Sequence, residues 1–145
     1  MPTAEHHRKL EAMYHGAPIN DRLFHSRLTV SEGKAEVDLD FRDELCHAAR
    51  SVHGSVYFKL LDDAAYFAVS SLVDDAFIVT SSFTIYMTRP ATKGTMRATG
   101  EVVYASRRLW VAEAVLLDDR NRQIARGSGT FMKSRTELRP ELGYR

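Results

Sequence analysis

The chain has 145 residues, 44% of them hydrophobic and 27% charged, and its 20 Lys and Arg against 19 Asp and Glu leave a formal net charge of +1. That length supports one domain around a single core without disulfides or metal, and the composition excludes a disordered or collagen-like chain. With no net charge to speak of and no basic cluster, nucleic-acid binding has nothing to run on, and no apolar run approaches the roughly 20 residues of a membrane span. One cysteine, Cys46, and a polar N-terminus without the apolar stretch of a signal peptide predict a soluble, cytoplasmic protein.

Leu10 and Met13, three apart within Glu5 to His15, predict a short helix ending near Gly16 and Pro18, an extension (1–22) added to the domain that follows. From Leu23 to Phe41 the period changes: Leu28 and Val30 alternate with polar neighbours, Gly33 marks a turn, and Ala35, Val37 and Leu39 alternate again, which predicts a hairpin. A polar connection from Arg42 to Val52 holds Cys46 and His47. From Val56 to about Leu72 the text is apolar nearly all round, broken only by Lys59, Asp62, Asp63, Ser70 and Ser71, so a buried helix is expected.

Period two then governs the chain. Val79, Ser81, Phe83, Ile85 and Met87 are expected on one face of a strand closed by Pro90 and Gly94. Further strands are predicted at Thr95 to Ala105, Leu109 to Leu117 and, after the Asp118-Asp119-Arg120-Asn121 turn, Gln123 to Met132. A charged, irregular tail (134–145) is expected to follow. The sum is an α+β domain (23–133): a curved antiparallel sheet of about six strands around one long helix.

The stretch His53-Gly54-Ser55 through Asp62-Asp63-Ala64 resembles the His-Gly-Gly…acid-x-Ala signature that opens the central helix of hotdog-fold acyl-CoA thioesterases of the PaaI-like, phenylacetate-pathway group. Thr80 to Ala91 is similar to that group's strand ending in Arg-Pro-Ala, and Gly127 to Phe131 to its closing Ala/Gly-x-Gly-Thr-Phe strand. The resemblance spans Leu28 to Lys133. It implies a hotdog fold that hydrolyses an acyl-CoA or aryl-CoA thioester to free acid and CoA without a cofactor. It also implies a homodimer, or a tetramer of paired dimers, in which one subunit's acid acts on a substrate held at the other's helix N-terminus.

Elementary chemistry runs the same way. A tetrahedral oxyanion is stabilised by the unpaired N–H groups at a helix N-terminus, where Gly54 and Ser55 sit, and the resemblance implies the amide of Gly54 as the first candidate donor and that of Ser55 as the second. Asp62, nine residues after His53, stands where the family places its catalytic carboxylate, as general base toward water or as nucleophile. A carboxylate on so apolar a helix needs a partner or a task. Asp63, its rival and a substrate-binding candidate, lies four residues from Lys59 and can form an ordinary helix-face ion pair.

The remaining candidates are weaker by type. His47 replaces an Asn that holds the attacking water in relatives; it is read as a water ligand or base, or as a solvated loop residue. His53 is expected to fix its loop through a ring hydrogen bond. Ser55 replaces the second glycine, with its hydroxyl available to cap the helix. Thr80 stands where relatives orient the nucleophile or water with a hydroxyl, and is otherwise a strand former. Arg89, Arg107 and Arg108 are candidates for CoA phosphates. Trp110, Phe83, Tyr57 and Phe58 are read as acyl-tunnel or packing residues. No metal-ligand cluster, G-x-S-x-G elbow or nucleotide-binding loop is present. A hotdog hydratase or dehydratase, and a non-catalytic acyl-CoA sensor, stand as the alternatives.

Overall fold

The computed structural model describes residues 2–145. In chain order it holds α1 (Ala4–Gly16), a π-helical turn (Ile19–Phe24), β1 (Arg27–Ser31), β2 (Lys34–Asp40), α2 (Gly54–Ser70), β3 (Ala76–Met87), β4 (Thr95–Ala105), β5 (Trp110–Leu117) and β6 (Gln123–Glu137). The six strands form one antiparallel sheet in the order β1-β2-β4-β5-β6-β3. This is the hotdog architecture the motifs imply. No described helix is long and apolar enough to cross a membrane.

Alternation on each strand turns one row of side chains toward α2, and the helix answers with small and branched residues. Leu60, Leu61, Ala64, Ala65 and Ala68 are fully buried. The closest approach is at Gly100 of β4, where a Cβ would stand 2.2 Å from the Ala64 carbonyl oxygen. The missing side chain lets the helix settle backbone to backbone on the sheet. Cutting Leu61 to Ala in this packing would cost about 2–5 kcal/mol.

The expected helical extension proves to be part of the packing. Leu10 and Tyr14 of α1 are buried, and the His6 and His7 rings meet the Ser70 and Ser71 carbonyls at 2.8 and 3.3 Å, tying α1 to the C-terminal end of α2. The side of α1 toward β1 supplies acceptors to that edge strand. Val30 N–H donates to Glu11 Oε2 at 2.8 Å and Leu28 N–H to His15 Nε2 at 3.0 Å.

Two expectations are corrected. β6 does not stop at Met132 but pairs with β3 as far as Glu137, and the tail then turns at Pro140–Leu142 and brings the Tyr144 hydroxyl to 2.7 Å from His6 Nδ1. A strand continues where partner and face allow, so charge alone did not end it. Nor do Val79 and Phe83 share a face. Thr80 pairs with Phe131 but Ser82 pairs with Thr130, leaving Ser81 as a β-bulge. The extra residue inverts the phase, so that Ile78 is buried and Val79 exposed while Thr80 and Phe83 both reach α2.

Candidate active site

Two places on α2 carry the chemistry. At its start, His53 is the N-cap residue, and its Nδ1 accepts from the Ser55 amide at 3.0 Å and lies 2.7 Å from Ser55 Oγ. The Ser55 amide is therefore spent on the cap, and the capping group is the His53 ring rather than the Ser55 hydroxyl. The Gly54 amide is different: among the described residues no acceptor is found for it. It points from the positive end of a 17-residue helix, where unpaired donors stabilise negative charge. A Cβ at Gly54 would stand 2.8 Å from Met87 Sδ, so glycine keeps this corner open. His47, Gly54, Tyr57, Met87 and Arg89 line a shallow pocket of about 390 Å³ here.

The second place is Asp62. Its Oδ1 accepts from Thr80 Oγ1 at 2.8 Å, a contact that exists because the bulge at Ser81 turns Thr80 toward the helix. Burial pushes the carboxyl up to about 6, with the Asp63 charge adding to the rise and the Thr80 hydrogen bond and Lys59 opposing it. A carboxyl poised there is a base near neutral pH.

Asp63 is occupied elsewhere. It pairs with Lys59, the helix-face arrangement their spacing allows, and accepts from the Tyr14 hydroxyl at 2.7 Å. Lys59 also donates to Asn20 Oδ1 at 2.6 Å, and Asn20 Nδ2 to the Tyr14 carbonyl at 2.9 Å. This leaves Asp63 a structural anchor between α2 and α1. Asp62 and Thr80 open on a second pocket, about 240 Å³, walled by Tyr14, Tyr66, Phe67 and Phe77.

The sequence candidates thus divide by location. Gly54, His47 and Arg89 share the mouth at the start of α2, with the His53 ring 6.5 Å from that of His47. Asp62 and Thr80 meet eight residues further along, about 12 Å down the axis. Arg107 and Arg108 do neither: they lie in the β4–β5 turn, exposed, beyond the Ala105–Trp110 pair at the opposite end of the sheet from Arg89. Of the four aromatics Tyr57 lines the mouth beside Gly54, and its hydroxyl donates to the Arg89 carbonyl at 2.8 Å. Trp110 is core. Phe58 and Phe83 stack edge to face at 5.6 Å, partly open to solvent. The Cys46 thiol faces the Arg42 carbonyl, and His47 Nδ1 accepts from the Ala49 amide, so the two neighbours form no nucleophile–base pair.

Sequence reasoning missed Tyr66, which stands four residues after Asp62 and so shares its helix face. It missed Tyr14 and Asn20 for a different reason: nothing local links them to Asp63. No group of three or more metal-ligating side chains is found among the described residues.

A family model described as thioesterase superfamily matches residues 50–125, from the loop before α2 to the start of β6. Among solved structures, the PaaI protein of E. coli, from the phenylacetic acid degradation operon, is 22% identical with a TM-score of 0.85, covering 96% of this chain and 100% of its own. A conserved protein of Pseudomonas aeruginosa is 28% identical with a TM-score of 0.77, covering 84% and 97%. A thioesterase family protein from Silicibacter pomeroyi is 26% identical with a TM-score of 0.79, covering 86% and 95%. No curated protein gives a significant match.

Proposed function

Because the chain belongs to the thioesterase superfamily, as a PaaI-like hotdog protein, we propose that it hydrolyses an acyl-CoA thioester to free acid and CoA at sites shared between two protomers. The observation that carries this reading is the split on α2: an unpaired amide at Gly54, and a carboxylate held by Thr80 about 12 Å away. One thioester cannot touch both in a single protomer.

A second copy resolves the separation. β3 is an edge strand with Val79, Tyr86 and Met87 exposed, and an open edge of this length is a template for another strand. Thr80 lies beside Asp62, while Met87 lies against Gly54. Antiparallel pairing of two β3 strands about a two-fold axis near Phe83 and Thr84 sets Thr80 opposite Met87 of the other copy, and so brings Asp62 of one helix toward the partner's Gly54.

The chemistry then needs no cofactor. The substrate carbonyl accepts from the Gly54 amide. Water attacks the carbonyl carbon while Asp62 takes its proton, the oxyanion of the tetrahedral intermediate rests on Gly54, and collapse breaks the C–S bond with the proton passing from Asp62 to the leaving thiolate. Direct attack by Asp62, through an anhydride that water then opens, uses the same geometry. Arg89 beside the Gly54 mouth suits a CoA phosphate, and His47 suits a held water.

The test is thiol release from a panel of acyl-CoAs. In the wild type kcat/KM should rise with pH through about 6, as the Asp62 carboxyl ionises. Asp62→Asn should lower kcat by about 10²–10⁴-fold with the fold intact. Binding of acyl-CoA with no thiol released would instead mark a sensor.

A further inference from the structure

The pocket beside Asp62 has one wall that does not belong to the family-matched stretch. α2 and β3 supply one side; the other is built by Met13, Tyr14, Ala17, Ile19 and Asn20, which all precede residue 50. Whatever this wall selects is a property of this chain's own N-terminal segment.

Its chemistry is apolar in effect. Tyr14 and Asn20 carry polar atoms, but these are spent inside the wall: the Tyr14 hydroxyl on Ser26 and Asp63, and Asn20 on Lys59 and the Tyr14 carbonyl. What remains toward the pocket is the Met13 side chain, and rings that pack edge to face, Tyr14 on Phe67 at 5.2 Å and Tyr66 on Phe67 at 4.9 Å. A pocket walled by rings and aliphatic side chains, with the polar atoms of its N-terminal wall already partnered, suits an apolar group. Asp62 and Thr80 line the same pocket, so a thioester whose carbonyl is presented to Asp62 has its acyl group directed here.

We propose that the Met13–Asn20 segment is the acyl gauge of this enzyme, admitting compact acyl groups and excluding long chains, with Ala17 and Ile19 setting the limit. The inference rests on the hydrolase reading above. A cavity of about 150 Å³ takes one benzene ring, so about 240 Å³ suits one ring or a short chain rather than a fatty acyl tail. Met13, Tyr14 and Phe67 are buried behind the pocket, whereas Ile19 is 48% exposed at its rim. The rim is therefore where a longer chain would leave.

The experiment measures kcat/KM for straight-chain and single-ring acyl-CoAs with the wild type, Ala17→Leu, Ile19→Ala and Asp62→Asn. Ala17→Leu should narrow the profile, lowering the ratio for the bulkiest accepted acyl group against acetyl-CoA by about tenfold or more. Ile19→Ala, at an exposed position that asks little of folding, should widen it toward longer chains. Variant profiles that superimpose on the wild type, with Asp62→Asn inactive, would overturn the gauge and leave the hydrolase reading standing. A wild type that releases thiol from none of the panel would overturn both.

Discussion

The two edges of the sheet are treated in opposite ways. Along β1, the chain closes its own edge: Glu11 and His15 of α1 accept the Val30 and Leu28 amides, and Arg8 donates to the Val30 carbonyl at 2.8 Å. Along β3, only Ile78 is fully buried, and none of the described helices is laid along the outer side. A covered edge resists further pairing, and an open one invites it. The open edge is the one on which the proposed second copy pairs, and the catalytic candidates cluster on that same side: Thr80 on β3 itself, with Asp62 and Gly54 on the helix packed behind it.

Changes at the open side should act on turnover. After Asp62→Asn, the largest follows from Gly54→Pro. Proline at the first helical position keeps the helix, and His53 already has the extended backbone that a following proline requires, so the substitution removes the amide proton while its ring displaces the flexible end of Met87. Loss of one oxyanion donor should lower kcat by about 10²–10³-fold, with the circular dichroism spectrum unchanged. Gly54→Ala, which keeps the amide and meets only the flexible end of Met87, should lose far less.

The Asp62 carboxyl gives the next effect, on stability. Its pKa is raised from 3.8 to about 6, so the folded protein binds the proton more tightly than the unfolded chain. Stability from this group is present below the unfolded value and lost as pH rises through the folded one. Asp62→Asn should therefore be more stable than the wild type above pH 6, by on the order of 2–3 kcal/mol, and lose that advantage below the unfolded value, as read by denaturation across pH.

At the closed side the expectation reverses. Glu11→Ala uncaps Val30 and removes the ion pair with Arg8, costing about 1–2 kcal/mol of stability in denaturant unfolding while leaving kcat and oligomeric mass unchanged. The smallest effect is on pH dependence. Thr80→Val removes a hydrogen bond that holds the Asp62 carboxyl down, so the midpoint of the activity profile should move above its wild-type position near 6.

Local signals were enough for much of this. Period two located every strand, the apolar text around Leu60 to Ala68 located the buried helix, and the residues around Gly54 sit at its start because capping is a local matter. What lay beyond reach was contact between distant segments. Nothing near Tyr14 reveals that its hydroxyl meets Asp63, 49 positions away. The bulge at Ser81 is equally silent, since Ser81 and Ser82 differ only in what β6 offers them, and without it Thr80 falls on the wrong face. Lys59 and Asp63 were readable as a pair; that the pair would also anchor α1 was not.

The central claim is that Gly54 of one protomer and Asp62 of another make one site, and mixing two inactive variants tests it most directly. Gly54→Pro and Asp62→Asn proteins, each nearly inactive alone, would be combined under conditions where subunits exchange. A mixed dimer has one site with both groups intact and one with neither, so random mixing should restore about a quarter of wild-type activity. A mixture that stays at the level of its parents, although mass measurements show mixed dimers, would place both groups' work within single protomers and contradict the account.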